Sequence, residues 1–242
     1  MALLGVSSLL ADTLLTKRRD ADEVPAPGRS SEAFKNQKVE VWIGADRVRR
    51  DDGRTALILR LDQRKLYIVN HAKREYVALD LEQKADRWRA ITGLPRVPDT
   101  EAFLMHAKVE PIAETRKIGS WKTLRYQVAL SNETGQADRI RLAWWVAPDL
   151  KIEDAPLRTL ALVLASMTNS GDEWIATLQS VPGQPVLFER VEKLPEMEVK
   201  AREQLVAVER REAPAGTYEL PAGHRRIDFH EYLTTFGFPG PL

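Results

Sequence analysis

The feature that most constrains this chain is the rhythm of its text between Lys38 and Leu79. Short apolar–polar alternations are cut every few residues by turn-forming clusters. Val39, Val41 and Ile43 alternate with Glu40 and Trp42, the period of two that marks a half-buried strand. Gly44-Ala45-Asp46 turns the chain, and Val48 sits in the return strand among Arg47, Arg49 and Arg50. Asp51-Asp52-Gly53 is a strong turn signal, because Asp and Gly tolerate the positive φ of tight hairpins. Leu57, Leu59 and Leu61 follow, then a turn at Asp62-Gln63-Arg64, a strand from Leu66 to Val69, a turn at Asn70-His71-Ala72-Lys73 and a strand from Glu75 to Leu79. Connections this short cannot carry a parallel crossover, so the pattern predicts an antiparallel meander.

The remainder is consistent with one domain. Charges, Pro25, Pro27, Gly28 and serines make Arg19 to Ser31 read as a loop. Leu81, Trp88 and Ile91 are spaced for a helix face between Asp80 and Thr92, ended by Pro95 and Pro98. A second block of strands begins near His106. Leu124, Tyr126, Val128 and Leu130 form one side of a strand, and Ile140, Leu142, Trp144 and Val146 form one side of its hairpin partner. One face of that pair reads as apolar and the other as wet. Leu157, Leu160, Leu164 and Met167 share a helical stripe with Pro156 in the first turn, and Asp172 to Gln179 reads as a second, short helix. Val186 to Leu194 is a further strand. Met197 to Arg211 has the composition of a helix but the parity of a strand, and its pattern alone leaves both open.

Composition narrows the chemistry. The 242 residues contain no cysteine and carry 36 basic against 35 acidic side chains. A chain of this length buries enough core to fold without a disulfide or zinc staple. Lacking cysteine, it has no thiolate nucleophile, cysteine-ligated cluster or acylated cysteine. A net charge of +1 is no footprint for nucleic acid. The apolar run Ala2 to Ala11 is too short to span a bilayer but has the length of a signal-peptide core, with Ala11 before the expected cut and Asp12 after it. No Lys or Arg precedes the run, as a start codon placed too late would explain, and Leu9 stands where a small residue is preferred. The expectation is a periplasmic or secreted location.

Motifs for catalysis are missing. There is no phosphate-cradling Gly-rich loop ending in Gly-Lys-Ser/Thr, no dinucleotide fingerprint, no Gly-x-Ser-x-Gly and no His-Glu-x-x-His. His224, Asp228, His230 and Glu231 are the nearest approach to a metal set and read as exposed polar residues of a turn-rich tail. His71 reads as a turn residue without a nucleophile beside it. Lys17, Arg18 and Arg19 with Arg47, Arg49 and Arg50 read either as a solvated face or as a basic patch for phospholipid headgroups. Trp144 and Trp145 are consecutive in a strand and point to opposite faces.

The string from Val41 to Gly53 resembles the opening of a bacterial family of exported proteins, known as a domain of unknown function. Leu66-Tyr67-Ile68-Val69-Asn70-His71, Lys73 and Tyr76 are similar to it too, as are Ile118-Gly119-Ser120-Trp121, Trp144 to Asp149, Gly183 to Val186 and Ala213 to Tyr218. The likeness spans roughly Asp12 to Gly223. It implies the architecture of the Lol-type lipoprotein carriers and receptors: an incomplete antiparallel β-barrel, covered by a few helices, with acyl chains in its concavity. It also tips Met197 to Arg211 toward strand. The expected fold is thus mainly β (α+β), a lipoprotein-carrier-like half-barrel over 12–223, after a signal-like segment 1–11 and before a tail 224–242. The expected function is non-enzymatic binding of a hydrophobic ligand, a lipid or lipoprotein acyl chain, by a monomer without cofactor. Candidate ligand residues are Val41, Ile43, Leu124, Tyr126, Val128, Leu142, Trp144, Leu160 and Leu164. Helices that fully plug the concavity, leaving no cavity of roughly 300 Å³ or more, would count against that function. The alternative is an envelope structural or protein-interaction module, with Phe229, Tyr232, Phe236 and Phe238 as its aromatic surface.

Overall fold

A computed structural model describes residues 11–22, 25–26, 29–30, 34–81, 106–131, 140–166, 180–193, 197–229 and 231–232. The meander is present as read: β4 (Phe34–Ile43), β5 (Arg47–Asp51), β6 (Thr55–Arg60), β7 (Lys65–Asn70) and β8 (Glu75–Asp80) pair in sequence, all antiparallel. The Asp51-Asp52-Gly53 turn forms with Gly53 at φ 82°, and Asp52 Oδ1 accepts from the Arg54 and Thr55 amides. A second meander consists of β9 (His106–Ile118), β10 (Trp121–Ser131), β11 (Ile140–Ala147), β12 (Gln184–Lys193) and β13 (Glu198–Arg210). Residues 198–210 are therefore strand, as the resemblance implied.

What joins the two meanders was not expected. β1 (Thr13–Ala21) pairs antiparallel with β4 on one side and with β13 on the other. It occupies the centre of an open twelve-stranded sheet of order β14-β8-β7-β6-β5-β4-β1-β13-β12-β11-β10-β9, where β14 (Arg225–Arg226) adds the one parallel pair. The reading of Arg19 to Ser31 as loop is corrected at both ends. Arg19 to Ala21 belongs to β1, and β2 (Pro25–Ala26) with β3 (Arg29–Ser30) makes a small hairpin between β1 and β4. The sequence Thr-Lys-Arg-Arg-Asp hides the strand because its inward positions carry charge. Lys17 and Arg19 share the parity of buried Leu15 and are only partly exposed, each beside a carboxylate.

The sheet curves and does not close. The helix α1 (Ala155–Ser166) packs over β5, burying Pro156, Leu160 and Leu164, three positions spaced by four. Asp154 precedes it as the cap and takes Arg158 at 2.9 Å one turn on. The main core gathers Leu15, Val41, Ile43, Val48, Leu59, Ile68 and Leu187 with Leu160 and Leu164 of the helix. The far face of the first meander is not wet. Ala56, Ile58 and Val69 are buried beneath Leu220, and Leu14 and Trp42 beneath Tyr218. This segment is held down by Arg49, which donates to the Thr217 carbonyl at 3.1 Å, and by Arg60, which donates to Glu219 at 2.7 Å. Ile227, Phe229 and Tyr232 belong to the main core, so Phe229 and Tyr232 form no exposed aromatic surface. The expected helices at 80–92 and 172–179 lie outside the described residues but for Asp80, the last residue of β8, and Leu81. Phe236 and Phe238 also lie outside them.

Candidate functional site

Between α1 and the central strands lies a half-open cleft of about 180 Å³. Its apolar wall is Leu15, Val41, Trp144, Leu157, Phe188 and Leu205. At its buried end stand three charged side chains from three strands: Lys17 of β1, Arg50 of β5 and Glu203 of β13. Lys17 Nζ donates to Glu203 Oε1 at 2.8 Å, and Arg50 Nη2 donates to Glu203 Oε2 at 2.8 Å. Register produces this meeting: Arg50 is opposite Val41 on β4, and Lys17 and Arg19 are opposite Leu205 and Glu203 on β13. Burial alone would push the Glu203 carboxyl up, but Lys17 and Arg50 outweigh it and hold it well below the usual carboxylate range. Arg19 stands beside the group, 3.8 Å from Asp52. Its pKa is lowered, first by burial and then by the nearby Arg50 cation.

The rim is different. Arg158 and Asp154 line the opening next to Gln184, whose side-chain amide also donates to Asp154. Glycine is required there: Gly183 has φ 93°, and a Cβ on it would come within 2.8 Å of the Ala147 carbonyl oxygen.

The sequence-predicted ligand residues scatter. Val41 and Trp144 line the cleft. Ile43, Leu160 and Leu164 are in the main core, and Val128 and Leu142 are in a second buried cluster with Trp144. Tyr126 packs partly buried against that cluster, and Leu124 is 36% exposed. Reasoning from apolar stripes missed Lys17, Arg50 and Glu203. The available signal was parity, since each stands two residues from a buried apolar neighbour: Leu15, Val48 and Leu205.

The supposed basic patch does not form. Arg49 pairs with Asp51 at 2.5 Å and Arg50 with Glu203, on alternate faces of β5. Arg47 covers the Tyr218 ring at 4.8 Å, and Arg18 donates to the Asn36 carbonyl. His71 is in its predicted turn with Nε2 3.1 Å from Asp51 Oδ2, on a carboxylate already engaged by Arg49. Among the described residues no group of three or more His, Asp or Glu is placed to hold a metal ion, and His230 lies outside them. A second cavity of about 360 Å³ is lined by Asp12, Arg47, Glu212 and the 213–219 segment, and it lacks the apolar wall of the first. No described helix is long and apolar enough to cross a membrane.

No family model matches the chain, and no curated protein does. Solved structures of similar shape include PNGF-II, at 9% identity and a TM-score of 0.43, over 94% of this chain and 33% of that one. The chain therefore spans about one third of the length of PNGF-II. An uncharacterized conserved protein from Thermus thermophilus matches at 9% identity and a TM-score of 0.44, over 90% of this chain and 91% of that one. A LolA superfamily protein from Nitrosomonas europaea matches at 10% identity and a TM-score of 0.30, over 86% and 90% respectively. All of these scores lie below 0.5, so none of them bears on what this chain binds.

Proposed function

We propose that the chain is a non-enzymatic, monomeric binding protein of the periplasm or the extracellular space, which holds the alkyl or acyl chain of a lipid or lipoprotein against the concave face of its sheet. The observation that carries this reading is the cleft between α1 and the central strands, where Leu15, Val41, Trp144, Leu157 and Phe188 form one apolar wall. Its volume of about 180 Å³ falls short of the roughly 300 Å³ of a drug-sized pocket. A guest within the described walls is therefore narrow, a single chain rather than a ring system. Delipidated protein should bind a fluorescent acyl probe saturably. Ala161→Trp, which fills the cleft from the helix side, should weaken that binding by about tenfold or more, a loss of at least one buried-chain contact. Probe fluorescence that rises without saturation, or is indifferent to Ala161→Trp, counts against the reading.

A second reading, an envelope interaction module, draws on Ile112 and Leu124, which are 38% and 36% exposed near β9, the last strand of the sheet among the described residues. Crosslinking in the native envelope tests it, and recovery of monomer alone would weaken it.

A further inference from the structure

The proposed cleft is apolar along its wall but not at its buried end, and the charges there do not balance. Among the described residues its lining holds three cations, Lys17, Arg50 and Arg158, against two carboxylates, Asp154 and Glu203. At the rim, Arg158 and Asp154 satisfy each other at 2.9 Å. At the buried end a single carboxylate serves two cations: Lys17, Arg50 and Glu203 are 22%, 11% and 14% exposed, and Glu203 is the hydrogen-bond partner of both. A guanidinium has five N–H donors and an ammonium three. Arg50 Nε is fully buried and has no hydrogen-bond partner among the described residues. A buried donor without an acceptor, beside an excess positive charge, is costly unless a ligand completes it. Neighbouring Arg19 is a further cation, 3.8 Å from Asp52, and it draws on Glu203 as well as on Asp52.

Resting on the proposed binding role, we infer that the ligand is a single-chain amphiphile bound head inward. Its anionic head, a carboxylate or a phosphate monoester, accepts from the Arg50 guanidinium and Lys17 Nζ at the buried end. Its alkyl chain runs along Leu15, Val41, Trp144 and Phe188 toward the rim. The arrangement selects against neutral heads, which leave the excess cation uncompensated, and against cationic heads, which add to it.

A matched dodecyl series decides this at neutral pH and low salt, below micellar concentrations: dodecanoate, dodecyl phosphate, dodecanol and dodecyltrimethylammonium, measured by displacement of a neutral fluorescent probe. The two anions should bind about tenfold or more tighter than dodecanol, the worth of one or two charge-assisted hydrogen bonds. The tighter of the two identifies the head group as carboxylate or phosphate. Arg50→Gln should remove most of that preference for anions over dodecanol, with Arg50→Lys intermediate. The wild-type series stands on its own if Arg50→Gln fails to fold. Equal binding of dodecanol and dodecanoate, or tightest binding of the ammonium, overturns the head-group assignment while leaving the apolar cleft intact. Failure of every member to bind overturns the binding role itself, and the assignment with it.

Discussion

Glu203 is the residue on which the buried end of the cleft depends. Its carboxylate is the hydrogen-bond partner of two largely buried cations at once, so Glu203→Ala removes the counter-charge they share. The expected loss is about 3–5 kcal/mol of stability, measured by urea unfolding. The same carboxylate sets a pH dependence. Its folded pKa is depressed, while in the unfolded chain it returns to near 4.5. Its contribution is therefore complete above 4.5 and is lost as pH falls further, because the unfolded chain takes up a proton that the folded one refuses. Glu203→Gln should flatten that part of the acid limb; an unchanged limb would show that the group contributes nothing there. Tyr232, whose hydroxyl burial and then Asp52 push up to about 12, stays neutral through this range. These roles were hard to read from sequence for a physical reason. A charged side chain at an inward strand position looks like a break in the apolar alternation unless its partner is known, and the partner here is more than 150 residues away in the chain.

At the scale of elements, local patterns were reliable and long-range pairings were not. Every strand from Lys38 to Leu79 could be read because turn chemistry and alternation agree there, and Asp51-Asp52-Gly53 adopts the conformation its residues favour. The ambiguity at 198–210 arose because Glu, Lys, Arg and Ala fill exposed strand positions as readily as helical ones. Residues 198–210 resolve to strand through pairing with β1 and β12. The cleft was only half legible: Val41 and Trp144 could be found by their apolar stripes, whereas the positions Gly183 and Arg50 supply depend on tertiary approach. Two glycines separate these levels. Gly53→Ala meets open space and pays only for its left-handed backbone, about 1 kcal/mol. Gly183→Ala also drives a methyl against the Ala147 carbonyl and the Pro148 backbone, and should cost clearly more. Thermal unfolding of the two variants side by side checks this, and equal shifts in Tm would refute the close approach.

For the whole molecule, the decisive feature is that the two meanders share β1 as their only seam within the described sheet. Leu15, 2% exposed, lies on that seam and in the cleft wall. Leu15→Ala should cost about 2–5 kcal/mol and lower amide-exchange protection in β6 and β12 alike. Loss confined to one side would show that the halves fold independently. The seam also orders events in time. β1 leaves the ribosome first of the described strands and can pair with β4 soon afterwards, yet its other partner, β13, lies about 190 residues on. Until then the nascent protein exposes a finished strand edge at what will become its centre, with Lys17 and Arg19 pointing inward without Glu203. An unpaired edge invites pairing with another chain. Those same charges, burdensome to bury alone, make β1 a poor template for any strand that does not bring a carboxylate to the right register. The cluster that shapes the cleft in the finished protein thus also favours the one register of β1 on β13 in which Glu203 meets Lys17.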